Sequence, residues 1–306
     1  WSTLVYFPAA HWVFAFDGLA AEKGGWIANQ VKAIDFAGGT AIHINAGAAA
    51  LMLAIVLGPR IGFGTKPMRP HNLTLVMLGA GLLWFGWFGF NAGSALAANG
   101  TAGLAWVNTL AGAAAAMLGW LVTERIRDGH FTSLGAASGV VAGLVAITPA
   151  CAAVTPMGAL AIGLLAGAAC ASALSLKHRF NFDDALDVVA VHLVGGLVGT
   201  LAIGLFAKGS LTGGAAGLLY GGGLDQLGRQ AIGAAAVLAY SLVASFLIAK
   251  AVSMVMPMRL DTACESLGVD VCEHAEVGYD LSHVGYTAYS VNQTVVVPAI
   301  TKEKVA

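Results

Sequence analysis

Long apolar stretches without charge dominate the pattern of this chain. No Asp, Glu, Lys or Arg occurs within residues 70–123 or within residues 129–176. A helix that crosses a bilayer needs about 20 apolar residues, so each stretch has room for two spans and a tight turn between them. Turn signals lie near Asn99 and in the segment 148–156, which contains two Thr-Pro pairs. The pattern therefore predicts an all-α integral membrane protein.

Eight hydrophobic segments qualify as spans. They lie at approximately 1–16, 36–58, 73–98, 101–123, 132–153, 156–176, 186–207 and 230–256. The composition agrees, because 58% of the residues are apolar and 10% are charged, whereas soluble domains carry about 25% charged residues. The net charge of -1 offers no basic surface for nucleic acid.

The chain begins at Trp1 without an initiator Met or a charged signal region, from which we infer a fragment that lacks its true N-terminus.

Basic residues give the expected orientation, because Lys and Arg accumulate in cytoplasmic loops. The loops after the second, fourth and sixth spans are the basic ones, with Arg60, Lys66, Arg69, Arg125, Arg127, Lys177 and Arg179. We therefore expect a membrane domain at 1–258 and a cytoplasmic tail at 259–306. In that compartment the thiols of Cys264 and Cys272 are expected to be reduced. Their spacing to His274 is not that of a zinc site, so no metal is expected.

Glycines recur at the four-residue spacing that lets helices approach closely in lipid. Such pairs are Gly89/Gly93, Gly139/Gly143, Gly163/Gly167 and Gly195/Gly199. We assign them to helix packing and not to chemistry.

Two histidines lie inside predicted spans, where an ionisable residue is costly and is a candidate for function. His43 follows Asp35 near the start of the second span, and His192 follows Asp187 near the start of the seventh. The two segments resemble each other and are five spans apart, so their helices run in opposite directions. This arrangement is typical of an inverted repeat, whose functional site lies at the midplane. The alternative is that each histidine is a buried residue bonded to a backbone carbonyl.

The acids have two possible roles. Asp35 and Asp187 each lie near a helix start, where a carboxylate caps free amides, or they contact a cation directly. In the third span Trp87, Phe90 and Ser94 share one helix face. This stripe serves packing, or it offers ring faces and a hydroxyl to a small cation.

Four segments together resemble the Amt/Rh ammonium transporters. They are DFAGGTAIHINAG (35–47), RPHNLTLVMLGAGLLWFGWFGFNAGSA (69–95), GAASGVVAGLVAITPAC (135–151) and DDALDVVAVHLVGGLVGT (183–200). The similarity covers nearly all of residues 1–280. It implies a homotrimer with one pore in each subunit, built from eleven spans as a five-plus-five inverted repeat plus one. The eight spans here correspond to the fourth to the eleventh, and the first three are absent from this chain.

The resemblance also implies roles for individual residues. They are the pore histidines His43 and His192, the gate Phe90, the recruitment residues Phe14, Ser94 and Asp35, and the pore wall Leu83, Trp87 and Val188. The second gate phenylalanine belongs to a missing span. Phe14 stands where the family has tryptophan, and a phenyl ring attracts cations less strongly. Asp184 and Asp187 are expected to be structural acids.

The implied activity is transport and not catalysis, with no cofactor. Ammonium is recruited at the outer face and deprotonated, ammonia crosses a hydrophobic pore, and the histidines relay the proton. Whether net charge moves stays open. The expected location is the plasma membrane, in contact with lipid. Residues 268–280 either contact a PII-type signalling protein or form an ordinary solvated acidic tail. The alternatives are an Amt-like ammonium sensor and a haem protein that uses paired histidines.

Overall fold

The computed structural model describes residues 1–18 and 22–279. The chain divides into two compact units, Trp1–Arg259 and Leu260–Ala306. The helices of the first unit are α1 (Phe7–Phe14), α2 (Asn45–Leu57), α3 (Leu73–Gly93), α4 (Gly100–Asp128), α5 (Ser133–Ile147), α6 (Pro156–Ala173), α7 (Ser175–Arg179), α8 (Gly195–Phe206), α9 (Gly209–Thr212) and α10 (Asp225–Val255). Its π-helical segments are Ser2–Tyr6, Ile27–Val31, Gly39–Ile44 and Val189–Val194, and Leu218–Tyr220 forms a 3₁₀ turn.

The expected all-helical membrane architecture is confirmed. Six helical stretches of the described chain are long and apolar enough to cross a membrane: Gly39–Leu57, Leu73–Gly93, Gly100–Asp128, Pro156–Arg179, Val189–Phe206 and Asp225–Val255. The other two predicted spans are shorter helices. The first ends at Phe14, and α5 has only 15 residues. Pro149 has no backbone N–H to continue the helical hydrogen bonds beyond Thr148, so the helix ends earlier than its apolar composition suggested.

Capping side chains fix the starts of four of the helices. Asn72, Asn99, Thr132 and Thr155 each accept a hydrogen bond from the backbone N–H three residues further along. Short oxygen-bearing side chains satisfy amides that have no partner inside the helix. The turns signalled by the sequence near Asn99 and before Pro156 therefore become well-defined helix entries.

Small residues bring α5 and α6 against α4. A methyl group at Gly139 would come within 2.8 Å of Trp120 Cβ, and one at Gly163 within 2.9 Å of Ala115 Cβ. Gly143 and Gly167 face Ala116 equally closely. Packing at these pairs is confirmed. For Gly89 and Gly93 it is not, because a methyl group at either would meet nothing within 4 Å among the described residues.

An ion pair joins the end of the His43-bearing helical stretch to the segment that leads into the His192-bearing stretch. Arg60 follows α2, and Asp183 precedes the π-helical segment that contains His192. The Arg60 guanidinium bonds both carboxylate oxygens of Asp183 at 2.7 Å, and its backbone N–H donates to the same carboxylate at 2.8 Å. The side chain of Asp183 is 1% exposed, while that of Arg60 is 44% exposed. The hydrogen bonds from Arg60 hold the pKa of Asp183 below its ordinary value.

We expect Arg60→Met to lower the free energy of unfolding by about 2 kcal/mol at neutral pH, because it leaves a buried carboxylate with fewer partners while the exposed arginine limits the loss. The folded pKa of Asp183 is depressed, so the stabilisation is present above its unfolded pKa and is lost as the pH falls through its folded pKa. Thermal unfolding at neutral and acid pH should therefore show a difference that disappears in acid.

The matched control is Asp128→Asn, which removes a surface pair with Arg127 whose side chains are both more than one third exposed. Such pairs contribute little. An Arg60→Met protein as stable as the parent at neutral pH would show that the Arg60–Asp183 bridge does not stabilise the fold.

The second unit begins with α11 (Thr262–Leu267), and the π-helical segment Asp270–His274 follows it. Asp261 caps α11 by accepting the Cys264 N–H at 2.8 Å. Cys264 and Cys272 form a disulfide with 5.6 Å between their Cα atoms. The expectation of reduced thiols was therefore wrong for this structure, because the turn at Gly268 brings the two cysteines together. The end of the predicted partner-binding segment, Asp280, lies outside the described residues.

Candidate functional site

The two histidines predicted from the repeat are in direct contact. His43 Nδ1 lies 3.2 Å from His192 Nδ1, and the ring centroids are 5.3 Å apart. His43 is 3% exposed, and its Nε2 is buried without a hydrogen-bond partner among the described residues. Two nitrogens that ligate one metal from opposite sides would be about 4 Å apart, at about 2 Å each from the metal. The contact is shorter, which argues against the haem alternative.

Each histidine lies in a π-helical segment that continues directly into an α-helix. Gly39–Ile44 leads into α2, and Val189–Val194 leads into α8. Single π-helical turns are rare and occur frequently at functional sites. The hydrophobic pattern gave no sign of them, because it does not distinguish π-helical from α-helical backbone over six residues.

Glycines allow the two segments to cross closely. Gly47 and Gly196 each lie four residues after a histidine. A methyl group on Gly47 would come within 2.6 Å of Leu193 Cβ, and one on Gly196 within 3.1 Å of the Gly39 carbonyl oxygen. Each glycine therefore faces the π-helical segment that carries the other histidine. This reciprocity is the geometry expected of an inverted repeat.

Aromatic rings cover one side of the pair. The Trp87 ring stacks on His43 at 5.3 Å with an interplanar angle of 19°, and the Phe90 ring lies 6.0 Å from His43. Trp87 and Phe90 also contact each other at 5.3 Å. The predicted helix face of α3 is thus turned towards the histidines. Phe90 remains 39% exposed on its other side.

A buried hydroxyl orients Trp87. Thr148 accepts the indole N–H of Trp87 at 2.9 Å, and Asn91 donates to Thr109 at 2.9 Å beside it. All three of these hydrogen-bonding partners are fully buried. The indole therefore uses its donor inside the bundle and presents its ring face to His43. Sequence reasoning missed Thr148 and Asn91, although uncharged polar residues inside apolar spans are a recognisable signal.

Asp35 is a helix cap in this structure. Its two carboxylate oxygens accept the amides of Gly38, Gly39, Thr40 and Ala41 at 2.8 to 3.0 Å. The capping interpretation of this residue is therefore supported. The carboxylate contributes to the site by fixing the start of the segment that carries His43.

The acid that mirrors Asp35 is Asp184 and not Asp187. Asp184 accepts the amides of Val188 and Val189 at 3.0 and 2.6 Å, and it precedes His192 by eight residues, as Asp35 precedes His43. Asp187 instead pairs with Lys177 at 2.5 Å. Capping was one of the two interpretations of Asp187, and the structure does not support it, because its left-handed backbone, with φ of 59°, places it in the turn before the segment.

The remaining predicted residues are more dispersed. Ser94 ends α3 and donates to the Phe90 carbonyl at 2.9 Å. Phe14 packs with Val13 and Ile27, in a different hydrophobic cluster from Trp87. The structure does not bring Phe14 and Phe90 into one cluster. Leu83 is 53% exposed, and Val188 is half-buried at the start of its π-helical segment.

A sequence model described as the Ammonium Transporter Family matches residues 1–279. The chain belongs to this family. It is 62% identical over 288 residues to an ammonium transporter of Mycobacterium tuberculosis, with 92% of this chain and 60% of that protein covered. It is 47% identical over 281 residues to an ammonium transporter of Bacillus subtilis, with 91% and 67% covered.

Two solved structures have the same fold. Mep2 of Candida albicans superposes with a TM-score of 0.77 at 35% identity, over 86% of this chain and 58% of that one. A structure titled Sensor Amt Protein gives a TM-score of 0.77 at 34% identity, over 86% and 65%. The chain thus spans 60% of the mycobacterial relative's length.

Proposed function

We propose that this protein transports ammonium across a membrane and that the His43–His192 pair carries the proton. The observation that supports the proposal is the 3.2 Å contact between the two Nδ1 atoms beneath the rings of Trp87 and Phe90. Such a contact joins two proton-carrying groups inside an otherwise apolar bundle. Family membership and the names of the relatives support the same substrate.

The pair has a defined protonation pattern. A neutral imidazole has one N–H donor and one acceptor nitrogen, so in this contact one Nδ1 donates and the other accepts. The donor's own Nε2 is then an acceptor, and the acceptor's Nε2 carries a proton. When a proton arrives at the first Nε2, the Nδ1 proton can cross to the second ring, which releases its Nε2 proton. Both tautomers are reversed and no net proton is lost.

Dehydration separates the substrate from permanent ions. Moving an unpaired ion into an apolar region costs tens of kcal/mol in the limiting case, whereas neutral ammonia loses only the hydration of a polar amine. We propose that ammonium deprotonates near Phe90 and that ammonia passes Trp87, Leu83 and Val188. Potassium cannot give up a proton and is therefore excluded.

Recruitment at the outer end would use ring faces and a hydroxyl. A cation gains about 0.5 to 2 kcal/mol over an aromatic face, which Phe14 and Phe90 would provide together with Ser94. Because its carboxylate caps four amides, Asp35 would act there by shaping the site.

The direct test is the ammonium-evoked current of the protein in liposomes on a solid-supported membrane, paired with ammonia uptake measured by an internal pH dye. Uptake without current would indicate electroneutral passage. If ammonium produces neither signal above that of empty liposomes, the proposed transport is wrong.

Replacing Ser94 by Ala should raise the ammonium concentration for half-saturation about threefold, since one hydroxyl contact contributes about 0.5 to 1.5 kcal/mol. The maximal rate should change little, because Ser94 contacts Phe90 and not the histidines. Ser172→Ala is the control, since Ser172 also bonds the carbonyl of its own helix, at 2.8 Å. An unchanged half-saturation would remove Ser94 from the recruitment site.

The assembly proposed with this function is a homotrimer in the plasma membrane, with the C-terminal tail in the cytoplasm and a PII-type protein as its partner there. The basic loops support the orientation. A sensor function is the second candidate, supported by the similarity to the structure titled Sensor Amt Protein. A sensor would bind ammonium without sustained flux, so the liposome experiment separates the two.

A further inference from the structure

A buried glutamine on α10 ties together the two helical segments that carry the histidines. Gln230 is 0% exposed. Its Oε1 accepts the backbone N–H of Ile34 at 2.6 Å, and its Nε2 donates to the Ile34 carbonyl at 2.7 Å and to the Thr200 carbonyl at 3.1 Å. Gln226, one turn earlier, donates to the same Oε1 at 2.9 Å. All the polar atoms of the Gln230 amide are thus used.

The partners of Gln230 belong to the two halves of the site. Ile34 directly precedes Asp35, whose carboxylate caps the segment that carries His43. Thr200 lies on α8, which continues from the segment that carries His192. The side chains of Thr40 and Thr200 meet at 3.1 Å beside the glutamine, where the two segments cross. Gln230 therefore links the backbone before one histidine to the backbone after the other.

The chemistry of the amide explains why glutamine occupies this position. Ile34 lies outside regular helix, so its N–H and carbonyl need partners from elsewhere, and buried backbone groups without partners are costly. A side chain with both a donor and an acceptor can satisfy both. A leucine of similar size would leave the Ile34 groups unpaired, and a glutamate would place an acceptor against two carbonyls.

A second contact from α10 supports the same role. Ser241 is buried and donates to the carbonyl of Asn45, at the start of α2, at 2.7 Å. The helix α10 therefore holds the His43-bearing stretch before and after the histidine, although it supplies no ring or acid to the cluster around the pair.

From this geometry we infer that Gln230 is a positioning residue. It fixes the register of the two histidine segments, that is, how far they are shifted along each other, and so maintains the contact between the imidazoles. The part of this inference that concerns transport rests on the proposed function. Its structural content, the register of the two segments, can be measured separately.

The experiment measures that register by cross-linking. The protein carrying Thr40→Cys and Thr200→Cys is oxidised with copper phenanthroline in liposomes, and disulfide formation is followed after proteolysis in the loop around Lys177. The same pair is then combined with Gln230→Leu or Gln230→Glu. The matched control is Ser245→Ala, which removes a buried hydroxyl of α10 whose hydrogen bond, from the Trp1 indole, involves none of Gln230, Ile34 and Thr200.

We expect Gln230→Leu to slow cross-linking about tenfold and, with native threonines, to lower ammonium flux about tenfold, because a misplacement of about 1 Å is enough to cost that much in a positioned site. Gln230→Glu keeps the acceptor for the Ile34 N–H but sets a second oxygen against two carbonyls, so it should lose at least as much, while Ser245→Ala should stay close to the parent. If Gln230→Leu does not fold, Gln230→Glu decides.

Cross-linking at the parent's rate in every folded Gln230 variant would overturn the inference. So would an equal loss in Ser245→Ala, since that result would indicate general loosening of α10. If the parent carries no ammonium flux, the proposed function is wrong. The cross-linking rates still test the positioning role in that case.

Discussion

Replacing both His43 and His192 by Ala should reduce ammonium-evoked current about 100-fold or more, since a positioned proton carrier contributes about 10² to 10⁴ in rate. Under Trp87 and Phe90 the two rings place two groups that can hold and release a proton in direct contact. Without them a proton has no carrier there. Currents on a solid-supported membrane, measured over a range of ammonium concentrations, check this expectation.

Single acidic replacements test the same relay more finely. His43→Asp or His192→Glu keeps a proton-binding group beside the remaining imidazole, so each should retain more current than the double alanine variant. Ser245→Ala is the control, because Ser245 is as buried as His43 and accepts the Trp1 indole N–H, at 2.8 Å, away from the histidine pair. Double alanine protein that keeps both the current and the exclusion of potassium would show that the histidines are not the proton pathway.

The spans could be predicted because the bilayer imposes a length and a composition on them. A charge-free segment long enough to cross a bilayer is rarely stable when exposed to water, which is why the charge-free stretches predict α3, α4 and α6 correctly as spans. The exception is α5. Its apolar composition continues beyond Ile147, but Pro149 has no N–H to extend the helical hydrogen bonds, and hydropathy does not register that local restriction.

The histidine contact could also be predicted, because the two segments repeat each other in opposite orientation. The choice of the second acid failed. Asp187 is nearer to His192 in sequence, yet the turn before the π-helical segment directs it to Lys177 and leaves capping to Asp184. The equal spacing of eight residues from Asp35 to His43 and from Asp184 to His192 was the available signal.

The supporting residues escaped prediction for a different reason. Attention to ionisable groups inside spans finds His43 and His192, but Thr148 and Gln230 carry no charge. Their importance comes from partners that are distant in sequence, namely the indole of Trp87 and the backbone of Ile34 and Thr200. Only the folded arrangement shows that these backbone groups need a donor or an acceptor from another helix.

The histidine contact also requires that the two helical stretches cross closely. Of the two glycines at this crossing, Gly47 leaves less room for an added methyl group. A methyl group there would overlap Leu193, including its Cα at 2.7 Å, so backbone would have to move. We expect Gly47→Ala to lower ammonium flux about 100-fold by separating the two segments, and to lower the free energy of unfolding by about 1 to 3 kcal/mol through overpacking. Flux assays and thermal unfolding measure the two effects.

Gly196→Ala should be milder, because its nearest contacts would be at 3.1 Å, a distance that small adjustments can accommodate. Gly228→Ala provides the neutral comparison, since a methyl group there meets nothing within 4 Å among the described residues. The expected order of flux is therefore Gly228→Ala above Gly196→Ala, and Gly196→Ala above Gly47→Ala. Folded Gly47→Ala protein with the parent's flux would mean that the close crossing is not what keeps the two imidazoles in working contact.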